Sequence, residues 1–167
     1  MIQLNWNVIQ INGCIRDHIT MKRNSIRLLA LILYTASGYA QDIQGTWKVI
    51  DDKSGQPKGV VEIRKKADET YSGKILKLIP VYGFKVVEDT CINCPAPYTN
   101  QPMVGMEVLK GLKYNAEADS YEGGQIIDPK IGRIYSVKAK LQGKFLKVRG
   151  YLGTTLLGRN QIWIREK

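Results

Sequence analysis

Cys91 and Cys94 are the residues of this chain whose type and spacing best suit chemistry. Flanked by Pro95 and Pro97, they fit a small disulfide that pins a loop, which an oxidising compartment favours. They also fit a thiol–disulfide redox site, which needs a lowered thiol pKa, commonly from a helix N-terminus. A third interpretation is half of a tetrahedral metal site, whose other two ligands would have to come from a second copy. We expect the disulfide and no bound metal.

The expected mature protein lacks histidine, the residue that usually serves as the base in nucleophilic catalysis. His18 is the only histidine, and it precedes residue 41, the expected first residue of the mature protein. Without it a Ser-His-Asp or Cys-His relay cannot form, and the commonest zinc and iron ligand is missing. The carboxylates show no motif spacing and fall on turns or polar strand faces, so we expect no catalytic residue and no cofactor, with a carboxylate-based hydrolase as an alternative. These carboxylates are Glu62, Glu107, Asp119, Glu122 and Asp128.

Residues 21–40 have the three parts of a secretory signal peptide. Met21–Asn24 is a basic head, Leu28–Ala36 is an apolar run of nine residues, and small residues occupy the two positions that a signal peptidase reads. The apolar run is far shorter than the roughly 20 residues of a membrane span. We expect cleavage after Ala40 and a periplasmic or secreted protein. Residues 1–20 lack this pattern, and we interpret them as an incorrectly assigned start or a disordered extension.

The remaining residues, 41–167, have the length of a single domain. They carry 21 Lys and Arg against 14 Asp and Glu, which gives a net charge of +7. The basic residues are scattered among apolar ones, which is typical of solvated strand faces. The same charge would attract an anionic membrane surface. No nucleic-acid-binding motif is present, so we expect no nucleic-acid partner.

A hydrophobic period of two dominates residues 41–167. Tyr135, Val137 and Ala139 alternate with Lys138 and Lys140, so one face of that segment is apolar and the other is basic. β-branched and aromatic residues fill eight such runs, and turn signals separate them at the intervals of a sandwich or a barrel. The predicted strands are Thr46–Ile50, Val60–Ile63, Tyr71–Ile79, Met103–Leu109, Tyr121–Ile127, Arg133–Leu141, Phe145–Tyr151 and Gln161–Arg165.

Glycines inside these runs favour a barrel over a sandwich. Interior glycine marks bends, bulges or close packing, and strands that close on themselves need such bends. We therefore predict an all-β fold, an eight-stranded antiparallel up-and-down barrel whose interior has room for side chains or one small ligand. The glycines are Gly73, Gly105, Gly123, Gly124 and Gly150.

A long connection, Pro80–Gln101, separates the third and fourth predicted strands. Loops above roughly 12–15 residues inside compact domains are often lids or binding loops. Tyr82 and Phe84 stand near its start and Tyr98 near its end, so an aromatic lid over the barrel mouth is one interpretation and a cover for the core is the other. These three aromatics, together with the inward-facing Tyr135, are the candidate ligand contacts.

The two ends of residues 41–167 carry matching motifs. Gly45 and Trp47 open the first strand, and Arg165 ends the last one. A Gly-x-Trp start with an arginine near the end resembles the structural signature of lipocalin-like barrels. The resemblance implies that Trp47 closes one end and that Arg165 or Arg159 lies across its ring, through a cation–π contact and hydrogen bonds to carbonyls.

A longer series of motifs covers nearly all of residues 41–167. They are Asp42–Trp47, Tyr71–Ile75, Cys91–Cys94, Pro102–Met106, Glu122–Pro129, Gly132–Ser136, Leu146–Tyr151 and Leu157–Trp163. This order of motifs is similar to that of the bacterial exported family known as domain of unknown function 2147. The resemblance implies a lipocalin-like barrel in the envelope of Gram-negative bacteria. It implies no established activity, so no catalytic residue carries over.

The function that these observations predict is that of a non-enzymatic exported barrel holding a small apolar or amphipathic ligand. The eight strands, the closure at Trp47 and the aromatic loop support it. The alternative is an envelope interaction module with a solid interior. Its basic surface would dock an anionic membrane or a partner protein.

Overall fold

The computed structural model of the chain describes residues 42–80 and 89–166. They form eight antiparallel strands that pair in chain order and close into one barrel, which confirms the predicted fold class. The strands are β1 (Gly45–Ile50), β2 (Pro57–Lys65), β3 (Tyr71–Leu78), β4 (Glu107–Asn115), β5 (Ser120–Asp128), β6 (Arg133–Gln142), β7 (Phe145–Tyr151) and β8 (Gly158–Arg165). The expected signal peptide and residues 1–20 lie outside the described residues.

Alternation along the strands produces the core, as the period of two predicts. On β6, Val137 and Ala139 are buried while Lys138 and Lys140 are partly exposed. On β7, Leu146 and Val148 are buried and Lys147 between them is exposed. β8 then pairs with β1, from Trp47 opposite Arg165 to Val49 opposite Trp163, and this pairing closes the wall. Each large apolar side chain so buried contributes roughly 1.5–3 kcal/mol.

Two interior glycines mark places where the barrel wall is tightly packed. A Cβ added to Gly124 would lie 2.7 Å from the Lys110 carbonyl oxygen on the neighbouring strand, and the pairing of β5 with β6 shifts just before this residue. A Cβ on Gly73 would lie 3.0 Å from the Cβ of Leu109. Both positions therefore need glycine so that adjacent strands can approach and bend.

The predicted bounds of the fourth strand are wrong. We predicted Met103–Leu109, but β4 runs over Glu107–Asn115. Met103 and Met106 are buried because the connection before β4 folds back onto the barrel. Their apolar side chains therefore gave a pattern like that of a strand. Gly105, predicted inside a strand, has a φ of 90° and lies in that connection. The long connection between β3 and β4 is present and extends to residue 106.

The connections divide between the two ends of the barrel. We define the closed end by the start of β1, the end of β8 and the connections β2–β3, β4–β5 and β6–β7. The open end carries the connections β1–β2, β3–β4, β5–β6 and β7–β8. Over residues 42–80 and 89–166, no helix has the length and apolar character needed to cross a membrane.

Candidate ligand cavity

Trp47 seals the closed end of the barrel. Its side chain is fully buried, and its indole Nε1 donates a hydrogen bond of 2.8 Å to the Ile43 carbonyl oxygen. The guanidinium carbon of Arg165 lies 4.3 Å from the Trp47 ring centroid. The same guanidinium donates to the carbonyl oxygens of Gln44 at 2.6 Å and Asp42 at 2.5 Å. One arginine therefore covers the ring and ties the chain before β1 to the end of β8.

Gly45 and Arg159, the other two residues of the predicted signature, lie in different places. Gly45 has a φ of 118°, and a Cβ there would lie 3.1 Å from Nη1 of Arg165, so it leaves room for the guanidinium. Arg159 lies at the open end, where it forms an ion pair with Asp52 and holds the pKa of that carboxyl below its ordinary value. Of the two candidate arginines, Arg165 is the one over Trp47.

A cavity of about 870 Å³ occupies the barrel interior toward the open end. Every strand contributes to its wall, and the wall is mostly apolar, with Val49, Val61, Ile75, Val108 and Val148 among its members. This volume lies within the roughly 300–1,000 Å³ range of small-molecule sites. The side chains of residues 42–80 and 89–166 thus leave part of the interior unfilled.

The polar groups of the cavity wall come from β2, β8 and the β5–β6 turn. Lys58 from β2, Asp128 and Lys130 from the end of β5 and its turn, and Arg159 and Gln161 from β8 line the cavity together. Burial lowers the pKa of Lys58, an effect that the nearby Asp128 carboxylate partly offsets. The cavity therefore combines a long apolar wall with a cationic rim.

The two candidate ligand contacts that the structure describes, Tyr98 and Tyr135, lie in different places. Tyr135 on β6 lines the cavity. Tyr98 is buried in the core beneath the Lys110 ammonium, 4.7 Å from its ring centroid, and it is not among the described residues that line the cavity. Tyr82 and Phe84 lie outside the described residues. Tyr98 therefore fits the interpretation of the loop aromatics as a cover for the core.

Cys91 and Cys94 form a disulfide in the connection between β3 and β4, with their Cα atoms 5.5 Å apart. Both sulfurs contact the Pro129 carbonyl oxygen, at 3.6 Å and 3.7 Å. A Cβ added to Gly132 would lie 1.8 Å from the Asn93 carbonyl oxygen, so the two segments touch through their backbones. We call residues 91–94, which the Cys91–Cys94 bond closes, the disulfide hairpin. The hairpin packs on the β5–β6 turn, which forms part of the cavity wall.

Most of the candidate carboxylates form ion pairs at the surface. Glu107 pairs with Lys66 at 2.8 Å, and Glu122 pairs with Lys138 at 2.6 Å. Hydrogen bonding to Lys138 lowers the pKa of Glu122; for Glu107 burial acts to raise the pKa, but hydrogen bonds from Lys66 and other neighbours keep it low. Lowered pKa values are the opposite of what a general acid needs. Across the described ranges, no group of three potential metal ligands comes together.

Sequence reasoning missed Lys58, Lys130 and Gln161 as cavity residues. Each looks like an ordinary polar residue near a turn. The sequence signal that could have indicated a bulge at Lys58 is the glycine that follows it, directly before an apolar run. Glycine inside a strand often marks a bulge.

Comparison with known proteins agrees with this architecture. A solved structure, protein HP1028 of the lipocalin family from the human pathogen Helicobacter pylori, is similar with a TM-score of 0.61 and 18% identity, covering 75% of this chain and 84% of that chain. At such identity the likeness concerns the fold alone. A search of curated proteins found no match. The family model described as "Uncharacterized protein conserved in bacteria (DUF2147)" matches residues 45–165, and this lipocalin-like barrel therefore belongs to the DUF2147 family.

Proposed function

We propose that this barrel binds a small apolar or amphipathic ligand in its cavity and catalyses no reaction. The cavity of about 870 Å³ with mostly apolar walls carries the proposal. Covering apolar ligand surface with such walls is favourable by about 25 cal/mol per Å². The lipocalin-like fold supports the same function, since small β-barrels of this size can enclose one small ligand.

The proposed function includes export, with residues 41–167 as one barrel domain. The signal-peptide pattern of residues 21–40 supports this location, and the Cys91–Cys94 disulfide suits an oxidising compartment. Intact mass spectrometry of the protein from a periplasmic fraction should give a chain beginning at Gln41. Recovery of a chain that still carries residues 21–40 would contradict it.

Filling part of the cavity should weaken ligand binding while the wall keeps its structure. Gly150 on β7 lines the cavity, its φ is not in the left-handed region, and an added Cβ would meet Tyr135 Cβ at an ordinary 3.5 Å. Gly150→Leu should therefore weaken binding of the uncharged fluorescent probe N-phenyl-naphthylamine by about tenfold or more. Probe fluorescence measured during titration gives the dissociation constants.

The matched control adds the same side chain to the outer face of the barrel. Ser136 is exposed on β6, next to Tyr135 in the chain, so Ser136→Leu should leave probe affinity unchanged. Equal affinity for wild type and Gly150→Leu would place the probe outside the cavity. Failure of the wild type to bind the probe would contradict the proposed function.

A second candidate function is docking onto an anionic membrane surface. Leu156 and Leu157 in the β7–β8 connection are 87% and 75% exposed, and Ile131 at the same end is also exposed. With Lys130, which precedes Ile131 in the chain, they give the open end exposed apolar and basic side chains, the combination that favours binding to an anionic interface. Sedimentation with phosphatidylglycerol vesicles that declines as salt rises would support docking. Equal sedimentation with phosphatidylcholine vesicles would remove the electrostatic argument.

A further inference from the structure

Lys58 enters the cavity wall through an irregularity in β2. In the register of β1 with β2, Val49 faces Gly59 and Ile50 faces Pro57, so Lys58 is an extra residue with no partner on β1. A bulge of this kind bends the strand and redirects a side chain, and bulges are common beside functional sites. Here the redirected side chain is half-buried and lines the cavity.

The Lys58 ammonium has no ion-pair partner within the described residues. No carboxylate oxygen of residues 42–80 and 89–166 lies within 4.0 Å of Lys58 Nζ, the limit for an ion pair. Asp51, Asp52 and Asp128 are near enough to act on the ammonium electrostatically. Asp52 is already paired with Arg159. The cavity thus contains a half-buried positive charge that the described protein does not neutralise by direct contact.

The neighbouring carboxylates have other structural roles. Oδ1 of Asp51 accepts hydrogen bonds from the backbone of Lys53 and Ser54 in the β1–β2 turn. Oδ1 of Asp128 accepts the Lys130 backbone N–H at 3.0 Å in the β5–β6 turn. Oδ1 of each carboxylate thus stabilises its own turn.

We propose that the cavity takes a single-tailed amphiphile with an anionic oxygen headgroup, a carboxylate or a phosphate, which pairs with Lys58. This proposal rests on the proposed ligand-binding function and names the ligand class. The tail would lie along the apolar wall formed by Val61, Ile75 and Val148, and the headgroup would face the open end. Lys130 at the rim adds a second cation.

A binding role also explains why a lysine stands at position 58, where burial of its charge lowers the stability of the ligand-free barrel. Burial disfavours the charged form of lysine and lowers the pKa of Lys58, although the nearby carboxylates act in the opposite sense. Folding gains nothing from such a charge unless an anion joins it. Stability given up at a position that faces a cavity is the usual pattern of a functional residue.

Lys58→Met tests the proposal because methionine keeps an unbranched apolar side chain and removes the charge. Displacement of N-phenyl-naphthylamine is measured with dodecanol, dodecanoate and dodecyl phosphate, each below its micelle concentration. The wild type should prefer one or both anions over dodecanol by about tenfold. Lys58→Met should bring that ratio close to one by weakening the binding of the anions. The two anion arms separate a carboxylate ligand from a phosphate ligand.

Lys53→Met is the matched control, since Lys53 is an exposed lysine of the β1–β2 turn at the same end. It removes the same charge and should keep the anion preference. Thermal unfolding of Lys58→Met should show a barrel at least as stable as the wild type. A wild type without anion preference, or a preference that survives in Lys58→Met, overturns the inference and leaves the proposed function standing. Failure of the wild type to bind dodecanol and the probe defeats both.

Discussion

Trp47→Ala should lower the free energy of unfolding by about 3–5 kcal/mol, the range for removing a fully buried aromatic side chain. The indole fills the closed end, donates its N–H to the Ile43 carbonyl and lies beneath the Arg165 guanidinium. Its loss would leave a void that the closed wall of eight strands cannot collapse to fill. Urea denaturation followed by far-ultraviolet circular dichroism gives the free energy.

The barrel provides its own control for the aromatic and cationic part of this effect. Lys144 lies over the ring of Phe145 at 5.4 Å, but Phe145 is exposed. Phe145→Ala should therefore cost less than about 1 kcal/mol, because an exposed cation–π pair contributes little. If Trp47→Ala were no more destabilising than Phe145→Ala, the closed end would not depend on Trp47.

Gly132→Ala should destabilise the barrel by about 2–3 kcal/mol, because steric overlap and backbone strain act together. The φ of Gly132 is 66°, and the new Cβ would lie 1.8 Å from the Asn93 carbonyl oxygen. Either the β5–β6 turn or the disulfide hairpin of Cys91 and Cys94 must then move. Chemical denaturation measures the loss, and probe titration shows whether the cavity wall formed by this turn has changed.

Gly143→Ala separates the two causes. Gly143 in the β6–β7 turn has a similar φ of 59°, but nothing lies within 4 Å of the position its Cβ would take. This variant should lose only the strain of the left-handed conformation, about 1–2 kcal/mol. Equal losses for the two variants would mean that the hairpin yields freely and is not held against the β5–β6 turn.

The sequence determined the strands wherever one side of a segment faces the core. β6 follows the alternation of Val137 and Ala139 with lysines, because a half-buried strand has a period of two. The same pattern gave wrong bounds for β4, because Met103 and Met106 are buried by a loop that folds back. A local pattern does not distinguish burial by a loop from burial in a sheet. The closed end of the barrel was readable as a motif, because Gly45, Trp47 and Arg165 act through their residue types.

Tertiary structure alone decided the candidate site. Whether the interior is filled or empty depends on how the side chains of all eight strands meet, so the cavity of about 870 Å³ has no local signal. Tyr98 and Tyr135 were both candidate ligand contacts, yet Tyr98 is packed under Lys110 and only Tyr135 lines the cavity. Lys58 reaches the cavity because the register of β2 against β1 slips by one residue, and a register exists only once two distant segments have paired.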